Sequence, residues 1–194
     1  MVVDDLIARH SEENVAYIYC DYRDQRNHTL VNILGSLLHQ FLVNVSHIPD
    51  AITTQLESIK QQGHRVEAGD ISEMLKVILP QLNRSFICLD ALDELEPYTR
   101  FALLKALHVD FGTVRIFLTG RPHIQPDVDR ALDTKLDPMH IIADDGDIRG
   151  YLTQKIEEDM DINPNHMSEQ LKEEILDTMT RKASGMYVTG FHAT

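Results

Sequence analysis

Three carboxylates behind one apolar run carry the most chemistry in this sequence. Phe86, Ile87, Cys88 and Leu89 are apolar, and the run ends in Asp90, with Asp93 and Glu94 close behind. Unbroken apolarity over so short a stretch marks a strand buried on both faces, as in a parallel sheet. In open α/β sheets, ligands bind at the carboxyl ends of such strands. A carboxylate placed there can hold Mg²⁺ through water, and a second can polarise an attacking water. Asp90 is the candidate for the metal, and Asp93 or Glu94 for the water. The plainer alternative is an acidic turn that caps a helix starting near Pro97.

A second stretch completes the set. Thr119-Gly120-Arg121-Pro122 follows another apolar run, Val114 to Leu118. If the two strands are parallel neighbours, Arg121 and the acids share one edge of the sheet. Arg121 could then meet a γ-phosphate as a bidentate donor. It could equally form a structural ion pair with one of the acids, and the two roles are compatible in a site that empties and fills.

The elements that must position these residues alternate. Val15 to Cys20 reads as a strand. Leu30, Ile33, Leu34, Leu37, Leu38 and Phe41 give an amphipathic helix over about 28–43. Further helices are expected over 51–61, after a capping box formed by Asp70 and Glu73, and over 97–108. The strand at 85–90 lies between the last two of these helices, and 139–143 is a further, shorter candidate strand. A helix from 144 to about 159 would turn Ile148, Tyr151, Leu152 and Ile156 inward. A last helix, capped by Ser168 and ended by Gly185, would bury Leu171, Ile175, Leu176 and Met179. Residues 2–10 look like the end of a helix, and the tail after Met186 shows no closing element. Strands alternating with helices imply βαβ units and a mostly parallel sheet.

Composition narrows the function. A net charge of -13 with no basic run argues against nucleic acid as a partner. No apolar segment reaches the roughly 20 residues that span a bilayer, and the first residues lack the basic start of a signal peptide. The expectation is a cytoplasmic chain with no membrane partner. Cys20 and Cys88 each sit in an apolar run, which suggests inert buried thiols. The ten histidines show no zinc-like spacing.

Taken together, Asp90-Ala-Leu-Asp-Glu94 after one apolar strand and Thr-Gly-Arg-Pro122 after the next resemble a NACHT domain of the STAND class of P-loop NTPases. The likeness is closest to the nephrocystin-like N-terminal type, found in fungal proteins that continue into ankyrin or WD repeats. Tyr17-Ile-Tyr-Cys-Asp-Tyr22 resembles that group's second strand, His28 to Phe41 the helix after it, and Lys182-Ala-Ser-Gly-Met186 the end of its helical lid. The resemblance implies a Walker B role for Asp90 at Mg²⁺ and for Asp93 and Glu94 at the water, with Arg121 as the sensor arginine. It also implies ATP or GTP as ligand, self-association of the full-length signalling protein, and a three-layer α/β sheet at 1–143 followed by a helical lid from 144 to 194.

One departure shapes the functional expectation. The family's Walker A loop, G-x-x-x-x-G-K-[ST], belongs ahead of the helix that ends near His10, and none of the nine glycines here is followed by lysine. The backbone cradle and the phosphate lysine are therefore absent from these residues. Both ends are expected to be cuts from a larger protein, and the chain alone is expected to bind no nucleotide and to show no turnover. In the family the P-loop strand lies between the sensor strand and the last strand, so 114–118 and 139–143 are expected to face each other over unmet hydrogen bonds. The readings carried forward are a fragment of a NACHT-type NTPase switch, a catalytically inactive scaffold remnant of the same fold, and, third, a metal-dependent hydrolase using the three acids.

Overall fold

The computed structural model describes residues 13–108, 114–133, 138–142, 144–162, 167–183 and 187–193. Among these lie, in order, β1 (Asn14–Tyr19), α1 (Leu30–Val43), α2 (Asp50–Gln61), α3 (Ala68–Ile78), β2 (Ser85–Asp90), α4 (Pro97–Leu107), β3 (Val114–Gly120) and α5 (Gln125–Leu132). They are followed by β4 (Met139–Ile142), α6 (Asp145–Ile162), α7 (Glu169–Ala183) and β5 (Tyr187–Ala193). The chain forms two compact units, residues 1–139 with 189–194, and residues 140–188. The expected helix at 2–10 and the helix stop at Gly185 lie outside the described residues.

In the first unit β1, β2 and β3 are parallel, with Ala16 opposite Ile87 and Ile87 opposite Ile116. That register puts Ala16, Ile87, Leu89, Ile116 and Leu118 on one face, all buried. They form one continuous core with Leu34, Leu37 and Phe41 of α1, Met74 and Leu75 of α3, Leu103 and Leu104 of α4, and Val128 of α5. On the opposite face Tyr17 and Tyr19 are 37% and 41% exposed, and Phe86 and Phe117 are half-buried. The helices that share the core of the first unit pack on the first of these faces, and Cys88 is buried on the other.

The helix starts follow local chemistry. Thr29 Oγ1 accepts the Asn32 N–H at 3.3 Å and caps α1. The α3 box is shifted from its expected place: Asp70 closes it rather than opening it, accepting the Glu67 N–H at 2.8 Å. Glu73 instead meets Lys76 at 2.7 Å, one helical turn on. The short helix α5, unforeseen in the sequence, starts with Pro126 in its first turn and buries Val128, Ala131 and Leu132.

The two sides of the parallel ribbon are closed differently. Among the described residues β1 pairs only with β2, and its outward side meets the side chain of Gln40. That amide accepts the Tyr17 N–H at 3.0 Å and donates to the Tyr17 carbonyl at 2.9 Å. A side-chain amide thus stands where a neighbouring strand's peptide group would be. The far side of β3 was expected to face 139–143 over unmet hydrogen bonds, left open or closed up with it, and among the described residues it is neither. β5 lies along it antiparallel, with Ile116 opposite Ala193 and Gly120 opposite Thr189. Backbone donors and acceptors demand partners, and the tail that shows no closing element in the sequence supplies them.

The second unit holds α6 and α7. Its buried apolar side chains among the described residues are Ile156 and Leu176. Tyr151, Leu171 and Met179, expected inward, are exposed, since a helix pair buries only one stripe of each helix. Arg149 of α6 reaches Asp177 at 2.6 Å and Glu173 at 2.5 Å on α7. Ser168 caps α7 as expected, accepting the Leu171 N–H at 3.3 Å. Among the described residues no helix is long and apolar enough to cross a membrane.

Candidate functional site

Parallel pairing of β2 with β3 brings their carboxyl ends together, and each end turns sharply. β2 stops at Asp90, and the turn Leu92–Glu94 carries the other two acids. β3 stops at Gly120, and Arg121 leads into the turn Pro122–Ile124. Between strand and turn, Ala91 takes a left-handed conformation, φ 54° and ψ 46°, which is uncommon outside glycine. Gly120 is required by crowding, because a Cβ there would lie 2.6 Å from Ile124 Cδ1.

All four candidate residues meet at this edge. Asp93 Oδ1 accepts the Arg121 backbone N–H at 3.1 Å, and Asp93 Oδ2 lies 3.4 Å from Arg121 Nε. The Asp93 side chain is 9% exposed and that of Arg121 70%, so the acid is built in while the guanidinium reaches out. Asp90 Oδ1 accepts a short hydrogen bond from Thr119 Oγ1, and that same hydroxyl oxygen accepts the Ala91 N–H at 2.9 Å. Glu94 Oε2 accepts the Tyr22 N–H at 2.8 Å, tying the acidic turn to the segment after β1. Tyr22, Gln25, Asp93, Glu94, Leu95, Glu96, Pro97 and Arg121 line an open cleft of about 460 Å³.

The electrostatics show in the neighbours. Cys20 is buried, its N–H donating to the Asp90 carbonyl at 3.0 Å. Burial first, then the fields of Asp90, Asp93 and Glu94, push its thiol up to about 12. Burial alone takes Cys88 to about 11. Both cysteines are free and buried, as the sequence suggested. Asp21 is partly exposed, and hydrogen bonds from the Arg23 side chain and then its backbone N–H hold it down at about 2.

The donor set suits a hard cation held loosely. One or two carboxylates at a strand end match Mg²⁺, which keeps most of its waters. Among the described residues no group of three or more His, Cys, Asp or Glu side chains is arranged to hold a metal directly. Arg121 offers an exposed guanidinium to an anionic group at this edge, and among the described residues no Gly-rich loop opens a helix.

Two residues of the site escaped the sequence reading of roles. Thr119 lay inside a quoted motif, yet its hydroxyl was assigned no part. Arg100 stands outside every motif, although it shares the apolar face of α4 with Leu103, Leu104 and Leu107. An arginine at a buried helical position is a signal that could have been used.

The class defined so far is an α/β unit with three parallel strands and an acid–arginine cluster at their carboxyl edge. The family model for nephrocystin 3, N-terminal, matches residues 1–121, and the chain belongs to that family. The match ends at Arg121 and so includes every candidate residue. No curated protein and no solved structure matches the chain.

Proposed function

We propose that this chain is the nucleotide-responsive part of a NACHT-type STAND signalling NTPase. The observation that carries the reading is the meeting of Asp90, Asp93, Glu94 and Arg121 at one sheet edge, within a nephrocystin-type domain. Mg²⁺ with ATP or GTP would supply the phosphoryl chemistry. Asp90 is the residue to hold the ion through water, its carboxylate oriented by Thr119. Asp93 parks the Arg121 guanidinium, which is exposed enough to turn toward an anionic group. Glu94, at the cleft wall, is the group to orient a water there. Self-association, C-terminal repeats and a cytoplasmic location belong to the same proposal for the whole protein.

A second reading has its own support. With no G-x-x-x-x-G-K sequence in these residues and β3's far edge taken by β5, the fold could serve as a scaffold without hydrolysis.

Calorimetric titration of the full-length protein with Mg·ATP and Mg·GTP separates the two, since this chain alone is expected to bind neither. Binding that is lost in both Arg121→Ala and Asp90→Asn supports the nucleotide-responsive reading. No binding at about 1 mM, a free energy near 4 kcal/mol, supports the scaffold.

A further inference from the structure

Beside the outer Asp93–Arg121 pair, whose arginine is exposed, lies an inner pair whose arginine is buried. Arg100 of α4 is 5% exposed. Its Nη1 donates to the Leu95 carbonyl at 3.0 Å, and its Nη2 donates to Asp127 Oδ2 at 2.7 Å. Leu95 ends the turn that carries Asp93 and Glu94. Asp127 stands in the first turn of α5, six residues after Arg121 in the chain.

The two pairs are crossed. The segment from Asp90 to Arg100 contributes a 9% exposed acid and a 6% exposed arginine, and the segment from Thr119 to Asp127 contributes a 70% exposed arginine and a 36% exposed acid. The outer pair is long and its arginine wet, so water and salt weaken it. The inner pair is shorter, at 2.7 Å, with a guanidinium 6% exposed and a carboxylate 36% exposed, and that guanidinium also satisfies the buried Leu95 carbonyl. Losing the hydrogen bonds of a buried guanidinium costs more than losing those of an exposed one.

We propose that Arg100 is a positioning residue: it, and not the Arg121 guanidinium, anchors the acidic turn against the Arg121 segment. The turn then keeps its shape when Arg121 leaves Asp93. This deepens the reading of the site given above, under which Arg121 must be free to move.

The test uses amide exchange by NMR and no nucleotide, so its failure and the failure of the nucleotide reading are separate events. The reporters are the N–H groups of Ala91, bonded to Thr119, of Glu94, bonded to the Ala91 carbonyl, and of Leu95, bonded to the Leu92 carbonyl. In Arg100→Lys, one ammonium cannot span both acceptors in the guanidinium's geometry. These three amides should exchange roughly tenfold faster, relative to the sheet amides of Ile87 and Leu118. The Arg121 Nε–Hε resonance, set by its carboxylate partner, should move toward that of a free arginine. Asp127→Asn keeps the shape of the inner contact and gives the same pattern more mildly should Arg100→Lys fold poorly. Arg121→Gln should leave the three amides within about twofold of the parent. The proposal is overturned if Arg121→Gln frees them as much as Arg100→Lys does. It is equally overturned if Arg100→Lys or Asp127→Asn speeds them no more than it speeds Ile87 and Leu118.

Discussion

The two units of this chain are built on opposite terms. The first has a single core that runs from β1 through α5 and holds side chains as large as Phe41 and Met74 wholly out of water. The second is a helix pair whose described part buries Ile156 and Leu176 and otherwise relies on charge at the surface. Charge is concentrated in both, but used differently. At the sheet edge Asp93 and Arg100 are drawn into the protein and bonded. On α6 and α7 the partners of Arg149 are more than half exposed. A large core can hold polar groups in fixed places because many contacts over-determine each one. A single seam cannot, and so the residues with candidate chemistry all fall in the first unit.

The comparison is tested most harshly in the core. Phe41→Ala should cost the first unit about 3–5 kcal/mol, by lost burial and the cavity left behind. Leu176→Ala should open α6 and α7 locally while the urea midpoint of the sheet stays where it was. Urea titrations followed by amide signals from both units decide the matter. If Leu176→Ala lowers the sheet's midpoint as far as Phe41→Ala does, the two units do not differ as described.

Gly120→Ala probes the joint between β3 and the Arg121 turn. The added methyl would meet Ile124 Cδ1 at 2.6 Å and Cγ1 at 3.3 Å. Ile124 is fully buried, so it has little room to yield, and a cost of about 1–3 kcal/mol is expected. Thermal melts give the cost, and loss of the Arg121 amide's protection shows whether the turn moved with it.

In the second unit, Arg149→Met should have a much smaller effect. It removes two exposed ion pairs, which contribute little and are screened by salt. Amide exchange in α7 should rise a few-fold in dilute buffer and match the parent at about 1 M salt, where the screening length is near 3 Å. A difference that persists at high salt would mean that Arg149 works by packing rather than charge.

Legibility in the sequence divided along the same line. The three parallel strands, α1 and the meeting of the acids with Arg121 were readable, because unbroken apolar runs ended in charged residues. Periodicity misled on α6 and α7. Tyr151, Leu171 and Met179 fall on an apolar stripe, but a stripe does not say how much of itself finds a partner. β5 was hidden because Gly190 interrupts its apolar residues, and because edge pairing is a demand of the backbone of β3 that side chains do not announce. The α3 cap was read one helical turn late, since Glu67 is a less favoured N-cap than Asp70. Thr119 bonds Asp90 and Ala91, and Arg100 bonds Asp127, across a gap closed only by the parallel pairing of β2 with β3, so neither partner is visible in the sequence.

The smallest expected effect bears on whether the sheet edge stores strain. Ala91 sits at φ 54° with its N–H held by Thr119 and its carbonyl accepting from Glu94. For a residue with a Cβ, the left-handed region costs about 1–2 kcal/mol. Glycine would remove that cost but would add unfolded-chain entropy worth about 0.5–1 kcal/mol. The two nearly cancel, and Ala91→Gly should stabilise the first unit by about 0.5 kcal/mol. Ala91→Val supplies the contrast, since a β-branched side chain is far less tolerant of positive φ, and it should destabilise. Urea midpoints at an unchanged m-value read both. The order Gly above Ala above Val means that the core of the first unit holds Ala91 against its own preference, at the residue that aims Asp90 and the acidic turn. An order with Ala above Gly would mean that the turn is relaxed as it stands, and that the first unit spends no stability on shaping this edge.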